Sequence, residues 1–301
     1  MKLKISLLFT LTIGVLFLLT SCAPTEKGVV KGVFLGGELG IAAKFEAFSV
    51  QEEGVYSIYD TETFPVEVLV QNKGEYELKP GDVTVKLLGV SPDEFSGIPA
   101  WTLQNKNTIL KKSELAPEGG EETISFADNA KFAGKVTGLL DRQWFANIEY
   151  NYETSVIIPE VCLKEDLKDQ RVCEVKEAKT FFVSGAPLIV TSVSEESAGQ
   201  GIVALRIKAV NKKGGKVTKQ GEEFGIRNTF TYSMDDPAWE CQSTGKVNEA
   251  RLQQDGTAEI ICKLKEPLAE ETLQTKQVAL TLKYRYQEIV QETLRIKQSE
   301  Q

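Results

Sequence analysis

Histidine does not occur anywhere in the 301-residue chain, which removes the commonest general base and the commonest metal ligand together. Ser-His-Asp and Cys-His nucleophilic systems and imidazole-based zinc sites are therefore excluded. A Glu/Asp pair or a lysine base remains as proton chemistry, but no residue stands out for it. No catalytic, cofactor-binding or metal-ligating residue is assigned, and no cofactor is expected. Asp235-Asp236 beside Pro237 supplies far fewer oxygens than the six to eight that calcium takes. Gly36-Gly37 with Gly40 lacks the Gly-Lys-Ser/Thr ending of a phosphate loop and reads as a turn. Tyr150/Tyr152 and Tyr284/Tyr286 alternate with polar residues, so the members of each pair share one strand face. They form either an aromatic patch for a glycan or corner tyrosines whose hydroxyls bond backbone. Trp101 and Trp239 read as core. Asn211-Lys212-Lys213-Gly214-Gly215-Lys216 reads as a solvated hairpin tip.

The remaining reactive groups are five thiols: Cys22, Cys162, Cys173, Cys241 and Cys262. Cys22 follows a positive start (Met1 to Lys4) and an apolar run, Ile5 to Leu19, of roughly fifteen residues, which is signal-peptide length and short for a membrane span. Leu19-Thr20-Ser21-Cys22 resembles the lipobox of bacterial-type lipoproteins. The resemblance implies a signal peptide over 1–21, cleavage before Cys22, and lipidation of the Cys22 thiol with a diacylglycerol-type group. Residues 22–28 then form a polar tether. Subtracting Cys22 leaves four cysteines, as in an exported protein with two disulfides. Three pairings are possible. The simplest keeps each bridge inside one domain, as Cys162–Cys173 and Cys241–Cys262. A four-thiolate metal site would need tighter Cys-x-x-Cys spacing.

The elements that must carry these residues are short strands. Period-two runs rich in Val, Ile, Leu, Tyr and Phe, broken by Gly, Asn, Asp and Pro, predict strands at Phe64–Val70, Val83–Leu87, Glu122–Phe126, Phe145–Tyr152 and Val172–Val183. The second half continues with Ile202–Val210, Arg227–Tyr232, Ala258–Leu264, Val278–Tyr286 and Ile289–Ile296. A short helix is expected only within 127–143. Three motifs recur in order: Pro99-Ala100-Trp101 at Pro237-Ala238-Trp239, Asn72-Lys73 at Asn211-Lys212, and Ile148–Tyr152 at Leu282–Tyr286, with offsets of 138, 139 and 134 residues. This order predicts a tandem repeat with its join at Ser184-Gly185-Ala186-Pro187. The strand ending in Asn72-Lys73-Gly74, its counterpart before Asn211 and the two apolar-x-Tyr-x-Tyr strands resemble immunoglobulin-like modules of the CARDB and surface-layer kind in exported archaeal and bacterial proteins. The resemblance implies an all-β fold of two tandem immunoglobulin-like antiparallel β-sandwiches, over 29–184 and 187–297. The cysteines lack the Cys…Trp…Cys spacing of antibody domains.

The net charge of −8 becomes −10 once Lys2 and Lys4 leave with the leader, and such a surface repels phosphate backbones, so nucleic acid is not an expected partner. These readings describe a non-enzymatic, membrane-anchored surface lipoprotein at the outer face of a membrane in the cell envelope. Its partners would be the membrane, through the lipid on Cys22, and an extracytoplasmic protein or surface polymer, bound for adhesion or envelope structure. The alternative is an accessory or solute-capturing subunit of a transporter or exported enzyme complex.

Overall fold

The computed structural model describes residues 33–166, 169, 171–175 and 178–300. The expected leader (1–21), the lipidation site Cys22 and the tether (22–28) lie outside the described residues. The chain is all-β. Its first half contributes β1 (Ile41–Phe45), β2 (Gln51–Glu52), β3 (Val55–Tyr59), β4 (Thr63–Asn72), β5 (Val83–Leu88), β6 (Phe95–Ser96), β7 (Thr102–Gln104), β8 (Glu121–Phe132) and β9 (Leu139–Lys164). The second half contributes β10 (Phe182–Val183), β11 (Leu188–Gly199), β12 (Ile202–Asn211), β13 (Lys216–Thr218), β14 (Thr229–Met234), β15 (Trp239–Ser243), β16 (Lys246–Val247), β17 (Glu249–Arg251), β18 (Thr257–Leu264) and β19 (Leu273–Lys297).

These strands build two sandwiches of immunoglobulin-like strand order, antiparallel except where β3 pairs parallel with β19. One face of the first is the sheet β1-β4-β8-β6, and one face of the second is β11-β12-β18-β15-β16. The opposing faces are not separate. β17-β14-β19-β9-β5-β7 run as a single path through a ten-stranded sheet, whose centre is the antiparallel pairing of β9 with β19 from Leu273↔Lys164 to Lys297↔Leu139. Each of these long strands serves its own sandwich with one half and its neighbour's with the other, so Val33–Gln301 is one compact unit.

The core follows from the alternation. β4 buries every second residue, Phe64, Val66, Val68 and Val70, and Phe64 and Phe95 meet Trp144 of the facing sheet edge-on at 6.1 and 4.8 Å between ring centroids. Trp101 is half-buried and stacks on Trp144, and Trp239 is buried.

Two local expectations fail for identifiable reasons. No helix forms within 127–143. Phe126, Ala127 and Ala130 are all buried because β8 bulges against Val66 and Glu67, and a bulge shifts a period-two pattern into helix-like spacing. Nor is Val172–Val183 a continuous strand. Cys173 is tied back to Cys162 and Lys179 turns inward to Glu195, leaving a bridge at Ala178 and the two residues of β10 in the ladder.

Two of the three repeated motifs coincide structurally. The tyrosine pairs face each other across the β9–β19 seam, as Tyr150↔Tyr286 and Tyr152↔Tyr284, a pattern that places a local two-fold axis at Asn151↔Arg285. Asn72 and Asn211 play one role. Each donates from Nδ2 to the carbonyl four residues on, Tyr76 or Gly215, at 2.6 Å, and faces the second tyrosine hydroxyl of its own repeat. The Pro-Ala-Trp match is different: Trp101 precedes β7 in the shared sheet, whereas Trp239 opens β15 in the outer sheet. A tripeptide is short enough to recur by chance.

Candidate functional site

The residues singled out in the sequence are mostly structural. Tyr150, Tyr152, Tyr284 and Tyr286 are fully buried, so they form no glycan patch. Tyr286 accepts from the Gly215 N–H and donates to Asn211 Oδ1, both at 3.0 Å. Tyr152 accepts from the Tyr76 N–H at 3.4 Å, and Tyr284 shares a 2.9 Å hydrogen bond with Thr154. Desolvation pushes the Tyr150 and Tyr284 phenols well above their ordinary value and Tyr286 up to about 12. Gly215 is required because a Cβ there would lie 2.5 Å from the Tyr286 ring.

Cys162–Cys173 and Cys241–Cys262 are both bridged. Cys241 and Cys262 are directly opposed on β15 and β18. The Cys162 N–H donates to both oxygens of buried Glu195, whose Oε2 lies 2.6 Å from buried Lys179 Nζ. Lys164 donates to the carbonyls of Asp169 and Cys173. This corner holds the small bridge in place. Asp235 accepts from the Ala279 N–H and Asp236 pairs with Lys276 at 2.8 Å, so both carboxylates are engaged within the fold. Among the described residues, no group of three or more Cys, Asp or Glu is placed to hold a metal ion. Gly36 and Gly37 have positive φ (71° and 131°), and the N–H groups of Leu35, Gly36 and Gly185 converge on the Glu75 carboxylate at 2.7–2.9 Å. In the 211–216 loop, Lys212 lies 3.5 Å from Glu38.

The arrangement best suited to binding lies at the edge of the second sandwich, where no motif stands in the sequence. Thr229↔Arg251 and Thr231↔Glu249 are register partners on β14 and β17, flanking the buried pair Phe230↔Ala250. Alternation puts Thr229, Arg251 and Glu249 on the outward face. The 219–228 loop rises over that face. It is held from below by Arg285, which donates to the Glu222 carbonyl at 2.9 Å, lies over the Phe224 ring at 5.0 Å and pairs with Glu149 at 2.7 Å. The Asn228 side chain accepts from the Val217 N–H at 2.9 Å and anchors the loop's other end. Across from it, Thr244 and Gly245 turn β15 into β16, both with positive φ (48° and 80°), the geometry of a tight two-residue hairpin.

Between them is a cleft of about 520 Å³ lined by Thr218, Lys219, Arg227, Thr244, Lys246, Glu249 and Arg251, among others. It continues into a trough of about 860 Å³ that shares Ile226, Thr244 and Arg251 and adds Asn228, Gln253 and Gln254. Lys219 bridges Glu222 and Glu249 at 2.8 Å each, and Lys246 pairs with Glu249 at 2.5 Å. These carboxylates hold the Lys219 ammonium up at about 12, Glu222 contributing most. The arginines of the cleft differ. Of seven in the chain, Arg142, Arg171, Arg206, Arg285 and Arg295 pair with carboxylates. Arg227 and Arg251 are exposed and have no ion pair among the described residues, and both line this cleft. Ile226, at 98% exposure, stands at its rim. Residues 24 positions apart, on a loop and a three-residue strand, leave no signal in the sequence that could have found them. No family model, curated protein or solved structure matches the chain.

Proposed function

We propose that this chain is an exported lipoprotein, tethered through Cys22 to the outer face of a membrane, whose welded double sandwich presents the Arg227/Arg251 cleft to an extracytoplasmic partner. The observation that carries the reading is that cleft: two guanidiniums with no ion pair among the described residues, on an acidic protein, form a surface ready to recognise something else. The two disulfides fit an oxidising compartment, and the leader with its lipobox supports the anchor. The β9–β19 seam makes the scaffold stiff, so the cleft loops are positioned by a rigid body.

The test is the intact mass of the mature protein from detergent-solubilised membranes, taken with and without reduction before alkylation, followed by capture of partners on the full chain. A mass beginning at Cys22 plus lipid, with four thiols alkylated only after reduction, is the expected result. An unlipidated chain, or thiols alkylated without reduction, removes the basis of the surface assignment. A clear thermal shift with a small sugar or peptide would instead favour the solute-capturing subunit.

A further inference from the structure

We propose that the Arg227/Arg251 cleft and its continuing trough bind an anionic glycan, a chain of sugars bearing carboxylate or sulfate groups. The proposal rests on reading this cleft as the recognition surface and names the chemistry it takes. Guanidinium forks match planar or tetrahedral oxyanions in bidentate fashion, and a guanidinium not already committed to a carboxylate is free to do so. The rest of the lining suits sugar rather than a bare ion. Thr218, Thr229 and Thr244 line the cleft, Asn228, Gln253 and Gln254 line the trough, and hydroxyls and amides both donate and accept, as sugar hydroxyls require. The exposed Ile226 shared by both hollows offers an aliphatic surface to the C–H face of a ring. Two hollows joined at Thr244 and Arg251 accommodate an extended ligand. Lys219 and Lys246 are neutralised by Glu222 and Glu249. Of the remaining acids, Glu223 lines the cleft while Asp255 in the trough is engaged by the Thr257 N–H and hydroxyl, so Arg227 and Arg251 are the basic groups of the lining that have no ion pair among the described residues.

The experiment measures binding of oligogalacturonate, dextran sulfate, neutral dextran and poly-glutamate to the full chain in detergent, for the native protein and for R227A/R251A, R227K/R251K and K212A/K213A. Native protein should bind one or both anionic glycans, less tightly as salt rises. R227A/R251A should lose about tenfold or more in affinity, and R227K/R251K should recover only part of it because an ammonium lacks the fork. K212A/K213A, altered outside the cleft, should bind as the native protein does. Mass mapping after phenylglyoxal labelling of native protein should show Arg227 and Arg251 protected by the bound glycan, a readout independent of how the variants fold. Unchanged affinity in R227A/R251A, equal loss in K212A/K213A, equal binding of neutral dextran, preference for poly-glutamate, or no protection of the two arginines would each overturn the proposal. Because binding is measured on purified protein, it stands or falls separately from the lipid anchor.

Discussion

At the residue scale, the buried polar groups set the energetics. Tyr286 and Tyr152 each satisfy a backbone donor in the core, with shorter bonds at Tyr286. Tyr286→Phe is expected to cost about 1–2 kcal/mol and Tyr152→Phe less, because each leaves a buried donor unpaired; denaturant midpoints measure both. Glu195 and Lys179 form a buried pair that also fixes the Cys162 N–H. Glu195→Gln is expected to destabilise by about 3 kcal/mol, since it removes the buried carboxylate 2.6 Å from the Lys179 ammonium. Glu288 lies on β19 at the position that Thr154 holds on β9, and its Oε1 has no hydrogen-bond partner among the described residues. Burial pushes its carboxyl up to about 7, with Lys213 opposing. The folded state therefore holds this proton more tightly than the unfolded chain, whose glutamate titrates at about 4.3. Stability falls as pH rises from there to about 7, by on the order of 2 kcal/mol after allowing for partial solvent access. Glu288→Gln should flatten that slope in unfolding measured across this range. An unchanged slope would assign the dependence to another group.

At the element scale, each bridge secures a different structure. Cys241–Cys262 staples β15 to β18 across a loop of 21 residues, and Cys162–Cys173 closes one of 11. Loop-closure entropy assigns about 3 kcal/mol to each. Cys241→Ala/Cys262→Ala and Cys162→Ala/Cys173→Ala should each lower the unfolding free energy by about that amount, and calorimetry reads the difference. The larger element is the β9–β19 seam, in which β9 spans 26 residues and β19 spans 25. Each was expected as shorter strands confined to one domain. The alternation along β19 is interrupted at Gln287 and Glu288, so its pattern reads as two strands, Val278–Tyr286 and Ile289–Ile296, although the ladder continues unbroken through them.

At the scale of the whole molecule, the seam makes two sandwiches into one body. Residues 33–184 expressed alone would expose β9, and 187–300 alone would expose β19, as long unpaired edges. The separate halves are expected to aggregate or self-pair, and co-expression should yield a one-to-one complex, both visible by size-exclusion chromatography. Two soluble, folded, monomeric halves would contradict the shared core. The same seam ties the cleft to the scaffold through Arg285, which sits at the local two-fold axis and braces the 219–228 loop.

Most of the strand runs, the all-β class, the even set of four cysteines and the Asn-Lys and Tyr-x-Tyr repeats were legible in the sequence because they depend on local periodicity and on counting. A residue two positions along a strand returns to the same face whatever lies across from it. Which strand lies across is not local. The pairing of Tyr150 with Tyr286, the role of the β8 bulge, the structural non-equivalence of Trp101 and Trp239, and the meeting of Arg227 with Arg251 all depend on contacts between distant segments. Tertiary structure decided these, because burial of the tyrosine seam selects one register among several that the alternation alone permits.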